Sequence, residues 1–133
     1  MTGATESENI AVVRRGYEAF AKGDIATLQT LFAPNATWRS VPAGILTGNY
    51  RGVQAILEFF GRLAHETNGT VRAQLKTIAA SGDHVFALHR NKGARKGRTI
   101  DEESVLVFKL DKGVVTEVGE FRYDQPAEAQ FWA

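Results

Sequence analysis

FAPNATWRSVPAG, residues Phe32 to Gly44, is where the chain changes its periodicity. Before it, apolar residues recur every three or four positions. From Asn35 to Val41 they alternate, with Ala36, Trp38 and Ser40 on one face and Thr37, Arg39 and Val41 on the other. The spacing predicts a helix that ends near Pro34 and a short strand that follows it at once.

Upstream, Thr5 and Glu8 have the spacing of a capping box, and Ile10, Val13, Tyr17 and Phe20 then form one helical stripe. Gly23 suits a left-handed C-terminal turn, and Asp24 can accept the first backbone N–H bonds of a second helix. Its buried stripe is expected to be Ile25, Leu28, Leu31 and Phe32. Downstream, Gly44, Gly48 and Gly52 punctuate a loop, after which Val53, Ile56, Leu57, Phe60 and Leu63 predict a third helix. The period then falls to two, with strands expected over 70–80, 84–91, 99–110 and 114–122. The turn sequences SGD and DKG and a long basic hairpin join them as antiparallel neighbours. Asp124 can cap a brief last helix containing Phe131 and Trp132.

Helices first and strands afterwards argue for an α+β fold, helices on one face of a curved antiparallel sheet, with an apolar pocket between the layers. With 133 residues, one domain over 1–133 is expected, burying roughly two-thirds of its unfolded surface. A net charge of +1 gives no general attraction to nucleic acid or to anionic membrane. The chain has no cysteine, which excludes disulfides, thiol catalysis and thiolate metal sites. Neither a signal peptide nor an apolar run near the roughly 20 residues of a membrane helix is seen. A soluble protein of a reducing cytoplasm is the expectation.

The GD helix break, the FAPNATW strand entry and the final LDKGVVTEVGEFRYD together resemble a superfamily. It contains ketosteroid isomerase, SnoaL-like polyketide cyclases, limonene epoxide hydrolase and nuclear transport factor two. The resemblance covers nearly the whole chain and implies a cone-shaped α+β barrel in which three N-terminal helices pack on the sheet around an apolar cavity. It also implies a homodimer paired through the sheet and chemistry without a cofactor. Carried over by residue, the isomerase's base falls at Ser40, its protonated acid at Leu106 and its tyrosine near Gly16. Tyr17 is one residue out of register, a turn of about 100° around the helix. The known steroid isomerisation is therefore disfavoured, and Tyr17 and Leu106 remain as candidate cavity walls. The epoxide hydrolase's arginine and first aspartate fall near Ala87 and His89. Its second aspartate falls at Glu120 counting forward from DKG, or at Phe121 counting back from Asp124. One residue reverses the face of a strand, so the favoured Glu120 count requires a bulge after that residue and not before it.

His89 and Glu120 are the candidate catalytic pair, because an imidazole and a carboxylate facing one dry cavity exchange protons with a bound substrate near pH 7. The plainer alternative has both on solvated surface. Trp38, Phe59 and Phe60 are candidate walls, and Ser40 and Ser104 candidate donors to a substrate carbonyl. In the acidic run Asp101 to Glu103, alternation leaves only Glu102 able to face inward; the run otherwise reads as a solvated strand end pairing with nearby bases. RNKGARKGR, with Arg90, Lys92, Arg95, Lys96 and Arg98, lacks P-loop spacing and interleaved aromatics, and reads as a solvated hairpin tip. His65, His84 and His89 show no metal-ligand spacing, so no metal site is expected.

Two functions lead, with nucleic-acid binding through the basic hairpin as a third reading whose affinity would fall steeply with salt. One is a SnoaL-like enzyme that transfers a proton, cyclises, isomerises or opens an epoxide on a hydrophobic cyclic or polyketide-like substrate. The other is a non-catalytic ligand-binding or dimerisation module on the same scaffold.

Overall fold

The computed structural model describes residues 4–40 and 44–133. Its elements are α1 (Glu6–Lys22), α2 (Ile25–Leu31), β1 (Phe32–Ser40), a 3-10 turn (Gly44–Leu46), β2 (Gly48–Arg51), α3 (Val53–Glu66), β3 (Arg72–Ser81), β4 (His84–Arg95), β5 (Arg98–Asp111), β6 (Val114–Arg122) and α4 (Gln125–Phe131). The fold is α+β, with the helices packed on one face of a curved six-stranded sheet.

Local chemistry accounts for the helix boundaries. Thr5 Oγ1 accepts from the Glu8 N–H at 3.1 Å while Glu8 Oε1 accepts from the Thr5 N–H at 2.8 Å, satisfying two N–H groups that α1 would otherwise leave open. Gly23, at φ +67°, ends α1 in a left-handed conformation that costs a glycine little. Asp24 caps α2, and Asp124 caps α4 through the Ala127 N–H. In α2, Leu28 and Leu31 are buried but Ile25 is exposed, contrary to the expected stripe: at the first helical position it lies outside the contact with the sheet.

The strand order is β2-β1-β6-β5-β4-β3. Every pairing is antiparallel except β1 with β6, which run parallel, so the expected all-antiparallel sheet is corrected at that ladder. The cone also does not close, because β2 and β3 remain edges. The sequence reading missed β2, whose glycine-punctuated surroundings look like loop. It is held by four pairs to β1 over Thr37–Ser40 and by the stacking of Tyr50 on Phe59, at 4.5 Å between ring centroids. Val41, expected to end β1, lies outside the described residues.

Ala36, Trp38 and Ser40 are buried on the inner face of β1, as alternation requires. Trp38 meets Phe60 edge-on at 5.1 Å and Phe59 at 5.8 Å, and Phe32 packs on both Trp38 and Phe60. Such aromatic pairs contribute about 0.5–1.5 kcal/mol each beyond the area they bury. They fasten α3 to the strand that begins at the change of period. The helices thus stand off the middle of the sheet and leave a cavity over β4, β5 and β6.

Candidate active site

The cavity has a volume of about 100 Å³ and lies between the helices and the concave face of the sheet. One side is apolar, with Val13, Phe20, Leu31, Phe59, Phe60 and Phe108 in its wall. Its polar end is built by Tyr17 of α1, His89 and Asn91 of β4, Glu120 and Arg122 of β6, and Glu128 of α4.

A bulge in β6 decides which residues of that strand enter. Pairing with β5 runs Leu110 to Val115 and then Lys109 to Glu117, leaving Thr116 as an extra residue. Beyond it Val118, Glu120 and Arg122 share the inner face. Glu120 therefore lines the cavity while Phe121 is 62% exposed. The bulge precedes Glu120, whereas the forward count required it afterwards. The pairing is regular from Glu117 to Arg122, so Glu120 keeps the inward phase that Thr116 sets.

The polar side chains form a continuous network. Arg122 holds Glu120 Oε1 through Nη2 at 3.0 Å and Glu128 Oε1 through Nη1 at 2.9 Å. Asn91 Nδ2 donates to Glu128 Oε1 at 3.2 Å and to Ser104 Oγ at 2.7 Å, so its other amide atom, Oδ1, faces His89 Nε2 at 2.8 Å. An amide oxygen only accepts, which places the proton of neutral His89 on Nε2. His89 Nδ1 then accepts from the Tyr17 hydroxyl at 2.6 Å. Glu128, on the last helix, thereby fixes the direction of a hydrogen bond that ends on the first.

Burial sets the protonation states. Loss of solvent pulls His89 down to about 4, opposed by the Asn91 bond and assisted by the charge of Arg122, so the ring is neutral at pH 7. Burial, and then the charge of Glu120, push the Tyr17 phenol well above its ordinary value. Glu120 is raised, chiefly by burial; Arg122 opposes this, Glu128 adds to it, and Trp38 and Ser40 favour the charged form more weakly. Two carboxylates share the one guanidinium of Arg122. Two donors remain open: among the described residues, Trp38 Nε1 and Arg122 Nε close no aligned hydrogen bond.

The sequence-derived candidates divide accordingly. Tyr17, Trp38, Phe59, Phe60, His89, Leu106 and Glu120 line the cavity. The one-residue offset of Tyr17 does not keep it out, since the wall takes in both Gly16 and Tyr17. His89 and Glu120 do not bond each other; Asn91, Glu128 and Arg122 intervene. Ser40 and Ser104 are fully buried outside the wall, the first accepting from Arg122 Nη2 at 3.2 Å and the second from Asn91, so they brace the network from behind. Glu102 shares the inner face of β5 but lies outside the cavity wall. Ala87, where the hydrolase's arginine would fall, is buried.

The basic hairpin is likewise corrected in part. Asp101 pairs with Arg90 at the strand end, as expected. Arg95, however, is buried, pairing with Glu66 at 3.0 Å and donating to the main-chain oxygens of Phe131 and Ala133 at 3.3 and 2.7 Å. Arg98 donates to the Gln130 oxygen at 2.9 Å. These cations meet the negative end of α4 and hold Glu128 over the cavity.

Asn91, Arg122 and Glu128 went unrecognised in the sequence. Alternation carries a signal for Arg122, two residues beyond Glu120 on the same face. For Glu128 the signal is its three-residue spacing from Phe131 on a short amphipathic helix. Asn91 carries none.

The model of the SnoaL-like domain matches residues 13–118. An uncharacterized protein of Mycobacterium tuberculosis is 31% identical over 130 residues, spanning 97% of this chain and 99% of that one. Among solved structures, Bal32a, from a soil-derived mobile gene cassette, superposes with a TM-score of 0.94 at 38% identity, covering 96% of this chain and 98% of that one. A SnoaL-like polyketide cyclase-type protein from Jannaschia sp. CCS1 shares the fold at a TM-score of 0.78 and 19% identity, covering 96% and 94%. The matched span runs from the first cavity-lining helix into the strand that carries Glu120, and the chain belongs to the SnoaL-like family.

Proposed function

We propose that this chain is a cofactor-independent enzyme that removes a proton from a carbon atom of a compact, hydrophobic, cyclic substrate, with Glu120 as general base. One observation carries the reading: a buried carboxylate stands at the polar end of an apolar cavity, with Oε1 anchored by Arg122 at 3.0 Å. Burial raises its basicity above that of an ordinary carboxylate, the direction that favours a general base. Oε2 takes the proton of a C–H bond next to a carbonyl, and the electron pair passes to the carbonyl as an enolate. Isomerisation follows when the proton returns to another carbon. Cyclisation follows when the carbanion closes on a second carbonyl, whose oxygen takes the proton. His89 is neutral with both ring nitrogens engaged, so it orients Tyr17 in this reading and leaves the proton transfer to Glu120.

The test is deuterium exchange at the α-carbon of cyclic ketones in D₂O, followed by NMR. The wild-type protein is expected to accelerate exchange, and Glu120→Gln to lower the enzymatic rate about 100-fold or more. Equal rates in the two proteins would sink the assignment. Saturable binding with no exchange in either would favour the ligand-binding module.

We also propose that two copies pair through the convex face of the sheet. Leu88, Val105 and Phe121 lie side by side there, next to Phe86 and Val107, and Phe86 and Phe121 are 41% and 62% exposed. A second copy would cover this apolar row.

A further inference from the structure

Gly16 stands well inside α1, with helical residues on either side of it. Within a helix glycine is favoured less than any residue except proline, because ordering it costs the most backbone freedom. Such a glycine has a structural reason when another element comes too close for a Cβ. Gly16 has none of that kind: a Cβ built on it meets nothing nearer than Leu31 Cδ1 at 3.7 Å, an ordinary van der Waals contact.

The space its missing side chain leaves open belongs to the cavity. Val12, Gly16 and Phe20 follow one another at intervals of four along α1, with Val13 and Tyr17 beside them, and all five line the wall. At about 100° per residue they cover an arc of roughly 140° around the helix, and Gly16 lies inside that arc. Its neighbours bring bulky side chains and it brings none. α1 therefore carries a notch, bounded by Val12 and Phe20 along the helix and by Leu31 of α2 across from it. All three are apolar. In a cavity of about 100 Å³, the room of one methyl group is a sizeable share.

We infer that Gly16 determines which ligands fit: the ligand is an apolar ring carrying an alkyl substituent, and that substituent lies in the notch between Val12, Phe20 and Leu31. The inference rests on the reading of this cavity as the seat of a hydrophobic cyclic ligand, and takes nothing from Glu120 as base. Alanine would fit the fold and strengthen the helix, so the glycine gives up stability for room.

The test is binding of cyclohexanone and of 3- and 4-ethylcyclohexanone, titrated into ¹⁵N-labelled protein and followed at the amides of α1, in the wild type and in Gly16→Ala. Each buried CH₂ strengthens binding about fourfold, so the wild type is expected to prefer the better ethyl compound over cyclohexanone about 10-fold. In Gly16→Ala that preference is expected to fall to about one, while the melting temperature of the free protein rises by about 1–4 °C, the range for alanine replacing glycine at a compatible site. Equal preference in the two proteins, or no preference in the wild type, overturns the inference. So does a Gly16→Ala protein that melts lower or fails to fold, since packing would then require the glycine. The two readings fail separately. Unchanged preference, with exchange lost in Glu120→Gln, removes the role of Gly16 and keeps the base; preference lost in Gly16→Ala, with exchange unaffected by Glu120→Gln, keeps the size limit and removes the base. A wild type that binds none of the three ketones removes both.

Discussion

At the scale of single residues, His89 shows how a side chain that titrates near neutrality is taken out of acid–base service. Its Nε2–H is committed to Asn91 and its Nδ1 to Tyr17, and burial holds it down to about 4. A histidine depressed in the folded state contributes stability that is fully present above its unfolded value, near 6.5, and is lost as pH falls toward the folded value. The difference in unfolding free energy between the wild type and His89→Gln is therefore expected to shrink by roughly 3 kcal/mol between pH 6.5 and pH 4, read by denaturant melts at each pH. Parallel curves for the two proteins would show that His89 is not the buried neutral base described. The residue itself was legible as an inward-facing histidine on an alternating strand. Its partners were not, because Asn91 looks like any polar strand residue and Glu128 approaches from a helix almost forty positions away.

Among elements, β6 is the decisive one. Its ends were legible, since DKG and the alternation after it predict the strand over 114–122 as observed. Its phase was not, because nothing local says where a ladder takes in an extra residue, and counting from the two flanking turns gave opposite answers. Thr116 is that residue, and its hydroxyl donates to the Lys109 oxygen at 3.1 Å. Deleting Thr116 removes the shift, so either Val118, Glu120 and Arg122 turn outward and Phe121 turns in, or the strand slips against its neighbours. Loss of cooperative melting and of all α-exchange activity is expected. Replacement of Thr116 by Ser keeps the residue count and is expected to preserve both. A deletion variant as stable as the wild type would refute the bulge. The same limit explains β2, whose four residues are set by pairing with β1, and the hairpin arginines, whose acceptors are the main-chain oxygens at the end of α4.

On the scale of the whole molecule, the order of helices and strands made the α+β architecture legible early, because amphipathic periods of different length must bury against one another in layers. What it left out was the parallel ladder between β1 and β6 and the open edges. Phe121, displaced from the cavity by the bulge, adds its ring to the apolar outer face. Phe121→Asp is expected to shift sedimentation from dimer to monomer with the melting of the single chain little changed, whereas a wild-type monomer at tens of micromolar would exclude the pairing. Among the described residues, no helix is long and apolar enough to cross a membrane.

The parallel ladder has a further consequence for the order of folding. Phe32 pairs with Val115 and Trp38 with Val118, so the strand that opens the sheet waits for one made some eighty residues later. Closing such long loops costs entropy before any contact offsets it, which slows folding. During synthesis the helices and the β3–β4–β5 meander can form first, with one side of β1 and one side of β5 lacking a neighbour until β6 emerges. Glu120, Arg122 and Glu128 follow on that strand and the short helix after it. The pocket's two carboxylates and their shared arginine are therefore the last to be installed, and a ribosome stalled before them would present an apolar, unpaired surface suited to capture by a chaperone.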